Sequence, residues 1–230
     1  MPAALDFSGA FAGKGPGIIA EVKLRSPSDP ALGLGLDPVA AALDYARNGA
    51  NALSILTEPE FFGGSMDIFS AVRMVTGLPL LMKDFFVDAY QFTQARARGA
   101  DAVLLIAALL GKELGAMMKE ASALGLSVLV EVHTEDEMEA ALCAGARLIG
   151  INNRNLKTLE VDLATTRRLA PMVRGKDITL ISESGIRDRA DIKNLGDLGC
   201  RGFLIGTAFI KGGRPGAALA EILGRRHDPG

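Results

Sequence analysis

Short, uninterrupted apolar runs recur along the chain: GIIAEV (17–22), ALSIL (52–56), LPLLM (78–82), DAVLLIA (101–107), SVLVEV (127–132), RLIGI (147–151), ITLIS (178–182) and GFLIG (202–206). A strand with one wet face alternates apolar and polar residues, so continuous apolarity marks strands covered on both faces, as in a parallel sheet. Segments of helical character lie between the runs, among them DPVAAALDYARNG, DAYQFTQARARG and TEDEMEAALCAG. Each opens at an N-cap residue and closes on glycine. Asp37 followed by Pro38 places a capping side chain before Pro at the first helical position. Thr134 and Glu137 have the spacing of a capping box. Gly49, Gly99, Gly125, Gly145 and Gly199 stand where helices end in a left-handed residue.

Eight strands alternating with helices, at a spacing of roughly 25 residues per unit, is the count of a (β/α)8 TIM barrel. The rival is an open doubly wound sheet, which carries a glycine-rich phosphate loop after its first strand. Here that place holds KLRSPS. The pattern therefore predicts an α/β chain in one domain: a short N-terminal segment (1–16), a (β/α)8 barrel (17–224) and a polar C-terminal tail (225–230).

Composition narrows the function classes. With 230 residues, 49% hydrophobic and 23% charged, the chain suits one large α/β domain. A net charge of −2, with both signs interspersed, argues against nucleic acid or membrane as the main partner. No apolar run reaches the ~18 residues of a membrane span. The opening MPAALDFSGAFAGKGPG lacks a basic n-region and is interrupted by Asp6, so it does not read as a signal peptide. Cys143 and Cys200 have no zinc-type spacing and read as buried packing thiols in a reducing compartment. The expectation is a soluble cytoplasmic protein, a monomer or weak homo-oligomer.

In such a barrel the chemistry gathers at the C-terminal ends of strands. Those ends carry Glu21 and Lys23, Lys83, Glu131, Asn152 and Arg154, Glu183 and Ser184, and Gly206 and Thr207. Any one of these charges, taken alone, reads as a solvated boundary residue, and Glu21 with Lys23 also reads as a structural ion pair. The coincidence decides otherwise. Carboxylates and ammonium groups from distant parts of the chain share one rim, where each offsets the burial of the other, and such a mouth suits acid–base chemistry. His133 is read as a residue leading into a helix, and His227 as part of a disordered polar tail. In the last two units, SESGI (182–186) and LIGTAF (204–209) set glycine beside a hydroxyl residue where strands give way to turns. Barrels often hold phosphate there, and Arg25 and Ser26 could add a cation and a hydroxyl from across the mouth.

AEVKLRSPS, LTEPEFFGGS, LMKDFFVDAYQ, GADAVLLI, LVEVH, IGINNRNL, SESGI and FLIGTAF, in this order and spacing, resemble the indole-3-glycerol-phosphate synthase family from about residue 17 to about residue 211. Phosphoribosylanthranilate isomerase and the tryptophan synthase α subunit share the barrel and phosphate site but not these strand-end motifs. The resemblance implies closure of 1-(2-carboxyphenylamino)-1-deoxyribulose 5-phosphate to an indole with loss of carbon dioxide and water, and implies no metal or organic cofactor. It implies that Lys83 is the general acid of ring closure and that Lys23 and Glu131 are the acid and base of dehydration. Glu21 holds the lysines and is a second candidate for the base role, while Asn152, Glu183, Ser184 and Arg154 orient the ribulose hydroxyls and catalytic groups. Phe62, Phe85, Leu104 and Leu156 form the slot for the anthranilate ring, and Ser26, Gly185, Gly206 and Thr207 hold the phosphate, with Arg25 facing it. Arg25 stands where the family has lysine, which keeps the charge but changes the donor geometry. The family places a few dozen residues before the first strand, forming helices near the mouth; this chain has about seventeen. Other readings of the same barrel are a different phosphosugar lyase or isomerase, or a non-catalytic phosphometabolite-binding protein.

Overall fold

The apolar runs form eight parallel strands that close on themselves. The computed structural model describes residues 3–13 and 15–229; Met1, Pro2, Lys14 and Gly230, which fall within the segments 1–16 and 225–230, lie outside the described residues. The order is β1 (Gly17–Val22), α1 (Pro38–Arg47), β2 (Ala52–Leu56), α2 (Met66–Val75), β3 (Leu80–Lys83), α3 (Tyr90–Ala97), β4 (Ala102–Ile106), α4 (Ala107–Leu110), α5 (Leu114–Ala123) and β5 (Ser127–Val132). It continues through α6 (Glu135–Cys143), β6 (Leu148–Asn152), α7 (Ala164–Leu169), β7 (Thr179–Glu183), α8 (Arg189–Asp197), β8 (Gly202–Ile205), α9 (Thr207–Ile210) and α10 (Pro215–Leu223). Each strand pairs with its sequence neighbours, and β8 closes the barrel onto β1.

Local signals account for the helix ends. Asp37 accepts the Val39 and Ala40 N–H groups ahead of Pro38. Thr134 accepts the Glu137 N–H, but the Glu137 carboxylate reaches past Thr134 to the N–H of His133. The five glycines expected to end helices all have positive φ.

Successive strand side chains point to opposite faces, and here that alternation divides the core in two. Ile18, Ala20, Leu53, Ile55, Met82, Val103, Leu105, Val130, Ile149, Ile151 and Ile205 face outward and pack against the helices. Ile19, Ala52, Leu81, Ala102, Leu104, Leu129, Leu148, Ile181 and Leu204 face inward and fill the barrel. The residues before β1 plug its lower end. Phe7 and Phe11 meet edge-to-face at 5.5 Å and join the inner cluster. Gly17 and Gly202 make room for them, since a Cβ at Gly17 would stand 2.5 Å from the Phe11 ring. Phe7 and Phe11 therefore close the end opposite the C-terminal ends of the strands.

Two expectations are corrected. Cys143 is exposed, whereas Cys200 is buried, and burial pushes its thiol up to about 12. Cys143 lies two positions after the buried Ala141, on the other side of α6. His227 is docked, its Nε2 3.3 Å from Asp44 Oδ1 on α1, rather than loose in a tail.

Candidate active site

The inward positions Ile19, Leu81, Leu129 and Ile181 are apolar, and two residues further on each strand stands a charge: Glu21, Lys83, Glu131 and Glu183. The strand ends thus form the top layer of the barrel interior, above an apolar floor that includes Leu104 and Leu204. A cavity of about 830 Å3 opens over this layer.

The charges form one connected array. Lys23 Nζ lies 2.6 Å from Glu21 Oε1, and Lys83 Nζ lies 3.3 Å from Glu21 Oε2 and 3.1 Å from Glu183 Oε2. Burial would raise the Glu21 carboxyl, but Lys23 and Lys83 overcome it and hold the group down at about 2. Burial opposes the Lys83 ammonium, yet Glu183, Glu21 and Glu131 raise its pKa well above the ordinary lysine value. Glu183 goes the other way. Buried and beside Glu131 and Glu21, with only Lys83 to favour its charge, it is raised to about 7. Its Oε1 has no hydrogen-bond partner and faces the bare Cα of Gly150. Gly206 performs the same service for Glu21, whose Oε1 would be 2.6 Å from a Cβ there. Two glycines, one on β6 and one just after β8, thus leave the volume that two carboxylates fill.

Glu131 is held ionised from several sides. Burial disfavours its charge, but His133, Lys83 and Asn152 together lower its pKa. His133 Nε2 is 3.3 Å from Glu131 Oε1, an ion-pair distance off the axis of a hydrogen bond.

The polar groups stand beside an apolar wall. Phe62 and Phe85, with ring centroids 6.5 Å apart, line the cavity with Leu104, Ile106 and Leu156. Ser26, Gly185, Gly206 and Thr207 line it too, from the segments that follow β1, β7 and β8. Ser184 holds a left-handed backbone at φ 64°, rare for a residue with a Cβ. A buried network fixes that turn: Asn153 Nδ2 donates to Ser182 Oγ (3.0 Å), Glu183 O (2.8 Å) and Ser184 O (3.2 Å), while Thr166 Oγ1 donates to Asn153 Oδ1 at 2.8 Å.

Glu21, Lys23, Lys83, Glu131, Asn152, Arg154 and Ser184 all border this one cavity, as do the expected ring and phosphate positions. Glu183 stands behind Lys83 and does not line it. Arg25 is turned aside: it is exposed, and its Nη2 donates to Pro59 O at 2.7 Å, binding the β1–α1 loop to the β2–α2 loop. Three contributions escape the strand-end reading. Glu58 accepts the N–H groups of Glu60, Phe61 and Phe62 at 2.7, 2.7 and 3.0 Å. Asn153 is hidden beside Asn152 because alternation turns it away from the cavity. Arg187 and Lys211 border the cavity from loops.

The family model described as indole-3-glycerol phosphate synthase matches residues 3–222. The indole-3-glycerol phosphate synthase of Carboxydothermus hydrogenoformans is 48% identical over 208 residues, spanning 90% of this chain and 79% of that one. That of Mycolicibacterium gilvum is 44% identical over 223 residues, spanning 96% and 82%. Among solved structures, a mutant tryptophan synthase α subunit from Pyrococcus furiosus superposes with a TM-score of 0.66 at 15% identity, covering 90% of this chain and 98% of that one. A 3-hexulose-6-phosphate synthase gives 0.67 at 15% identity, covering 90% and 97%. At that identity the likeness is one of fold. Among the described residues no helix is long and apolar enough to cross a membrane.

Proposed function

The chain belongs to the indole-3-glycerol-phosphate synthase family, and from that premise we propose how its own residues divide the family's reaction. The enzyme is a carboxy-lyase of tryptophan biosynthesis. It closes 1-(2-carboxyphenylamino)-1-deoxyribulose 5-phosphate to indole-3-glycerol phosphate with loss of carbon dioxide and water.

The anthranilate ring lies in the slot of Phe62, Phe85, Leu104 and Leu156, with its carboxylate towards Lys83. The ring carbon bearing that carboxylate attacks the ribulose carbonyl, and Lys83 donates a proton to the oxygen as it becomes an alkoxide. An alkoxide is a stronger base than an amine, so transfer proceeds although the carboxylates around Lys83 hold its proton tightly. Carbon dioxide leaves and the ring regains aromaticity. Lys23 then protonates the departing hydroxyl while Glu131 removes the proton from the adjacent methylene, which forms the indole double bond. Glu21 keeps both ammonium groups aimed at the cavity, and Asn152, Ser184 and Arg154 orient the ribulose hydroxyls. Glu183 acts from behind, through Lys83.

The phosphate is held by Ser26, Gly185, Gly206 and Thr207. Arg25 is spent on Pro59, so the positive charge at that end is supplied by Arg187 and Lys211, which border the same cavity. We place the enzyme in the cytoplasm as a monomer or weak homo-oligomer.

The observation that carries this reading is the array Lys23–Glu21–Lys83, backed by Glu183, opening on one aromatic-walled cavity. Incubation with the anthranilate-derived substrate should give indole fluorescence. Lys83→Ala should abolish ring closure, and near-wild-type closure by that variant would remove Lys83 from the mechanism. Another phosphosugar enzyme on this barrel would turn over a substrate lacking the aromatic ring, and a binding protein would retain product without turnover.

A further inference from the structure

The chain uses one short pattern twice. At the end of β1, Glu21 is followed two residues later by Lys23; at the end of β5, Glu131 is followed two residues later by His133. Residues two apart on a strand share a face, and each pair meets, at 2.6 Å for Lys23 and 3.3 Å for His133. Lys23 borders the cavity. His133 does not; it lies beside Glu131, outside the cavity lining.

Its ring is fixed from the far side. Nδ1 is 3.0 Å from Glu137 Oε2, and the same oxygen accepts the His133 backbone N–H at 2.7 Å. Arg168, on α7, donates to the His133 carbonyl at 3.2 Å. Glu137 and the carbonyl bond would suffice for a residue that only leads into α6. They leave unexplained why Nε2 is buried within 3.3 Å of Glu131 Oε1.

We propose that His133 is a positioning residue for the dehydration step: as an imidazolium clamped by Glu137, it holds Glu131 in place and in the ionised form that can accept a proton. The inference rests on Glu131 being the dehydration base. Burial disfavours the charged ring, but Glu131 and Glu137 raise His133 to about 10, so it is an imidazolium throughout the neutral range. The other groups facing Glu131 are Lys83 from β3, Asn152 from β6 and Glu183 from β7. Lys83 also favours the Glu131 carboxylate, but it is shared with Glu21 and Glu183. His133 is shared only with Glu137, outside the mouth.

The test is a cycle of His133→Asn, Glu131→Gln and the double variant. Asn keeps a donor near the position of Nδ1, and with it the link to Glu137, while deleting Nε2. In steady-state assays at neutral pH His133→Asn should lower kcat about tenfold with KM within about twofold, through lost positioning of Glu131, and should separately raise the acidic limb of the kcat profile by about one pH unit. In the Glu131→Gln background the substitution should lose nothing further. An unshifted limb, or an equal loss with and without the Glu131 carboxylate, overturns the role of His133. Wild-type kcat in Glu131→Gln overturns the base assignment itself, a different result from an impaired Glu131→Gln beside an unshifted His133→Asn. Ring 15N shifts give a readout independent of rate: the wild-type imidazolium should persist above pH 8 and lose its proton at lower pH in Glu131→Gln.

Discussion

The bare Cα of Gly150 faces Glu183 Oε1, and a methyl group at position 150 would occupy the space of that oxygen. Glu183 is fully buried and its other oxygen accepts from Lys83, so displacing the carboxylate also displaces the ammonium proposed to drive ring closure. Gly150→Ala should therefore destabilise the barrel by roughly 2 kcal/mol of overpacking, lowering Tm by about 4–8 °C. Its kcat should fall by more than the loss of folded protein explains. Thermal melts and kcat measured well below Tm separate the two effects; a variant that melts early but retains full kcat would show that Glu183 does not position Lys83.

Glu21 and Glu183 respond to pH with opposite sign. Glu21 falls from 4.5 to about 2 on folding, so its contribution is present above pH 4.5 and is lost as pH drops towards 2. Glu183 rises from 4.5 to about 7, so the folded state binds its proton more tightly than the unfolded chain does. Stability is then lost as pH rises from 4.5 through 7. Glu183→Gln should gain progressively on wild type as pH rises from 5 to 8. Glu21→Gln should be less stable than wild type over that whole range. Melting curves across it, with no substrate present, check both.

That pair also shows how far the sequence could be read. Glu21 and Glu183 were both legible as strand-end carboxylates, because the apolar runs number the strands and alternation tells which residues share a face. Their difference was not legible. It depends on Glu21 having two ammonium neighbours and Glu183 one, a matter of distance between strands. The run LPLLM marks β3 two residues early, since Pro79 has no N–H for the ladder, and the strand instead takes in Lys83. The motif puts Arg25 near phosphate, but a long side chain on a loop follows local acceptors, and Pro59 O is within reach. The pairing of Glu131 with His133 had a signal in the repeated two-residue spacing, outweighed by the helix signal that follows it.

Glu58 governs the aromatic slot without chemistry of its own. Its carboxylate gathers three successive N–H groups of the loop that carries Phe61 and Phe62, and it is buried while doing so. Charge-assisted bonds of this kind order a loop more strongly than neutral ones. Glu58→Ala should loosen the slot and raise KM about tenfold, equivalent to about 1.4 kcal/mol of binding, with kcat changed little. Steady-state kinetics decide it, since a fall in kcat at unchanged KM would place Glu58 in the chemical step instead.

Asn153 offers the converse test at the phosphate end. Ser184 at φ 64° is a conformation that a residue with a Cβ keeps only where its surroundings impose it, and the Asn153 amide donates to the carbonyls on both sides of the Glu183–Ser184 peptide bond. Asn153→Ala leaves those carbonyls, Ser182 Oγ and Thr166 without a shared buried partner, a loss of about 1–3 kcal/mol in stability. It also frees the Ser184–Gly185 turn to relax. KM for the phosphorylated substrate should then rise together with the dissociation constant for inorganic phosphate, because both report the same turn. If the variant is destabilised but binds phosphate as tightly as wild type, the strained turn does not depend on the network, and the phosphate assignment at Gly185 loses its structural support.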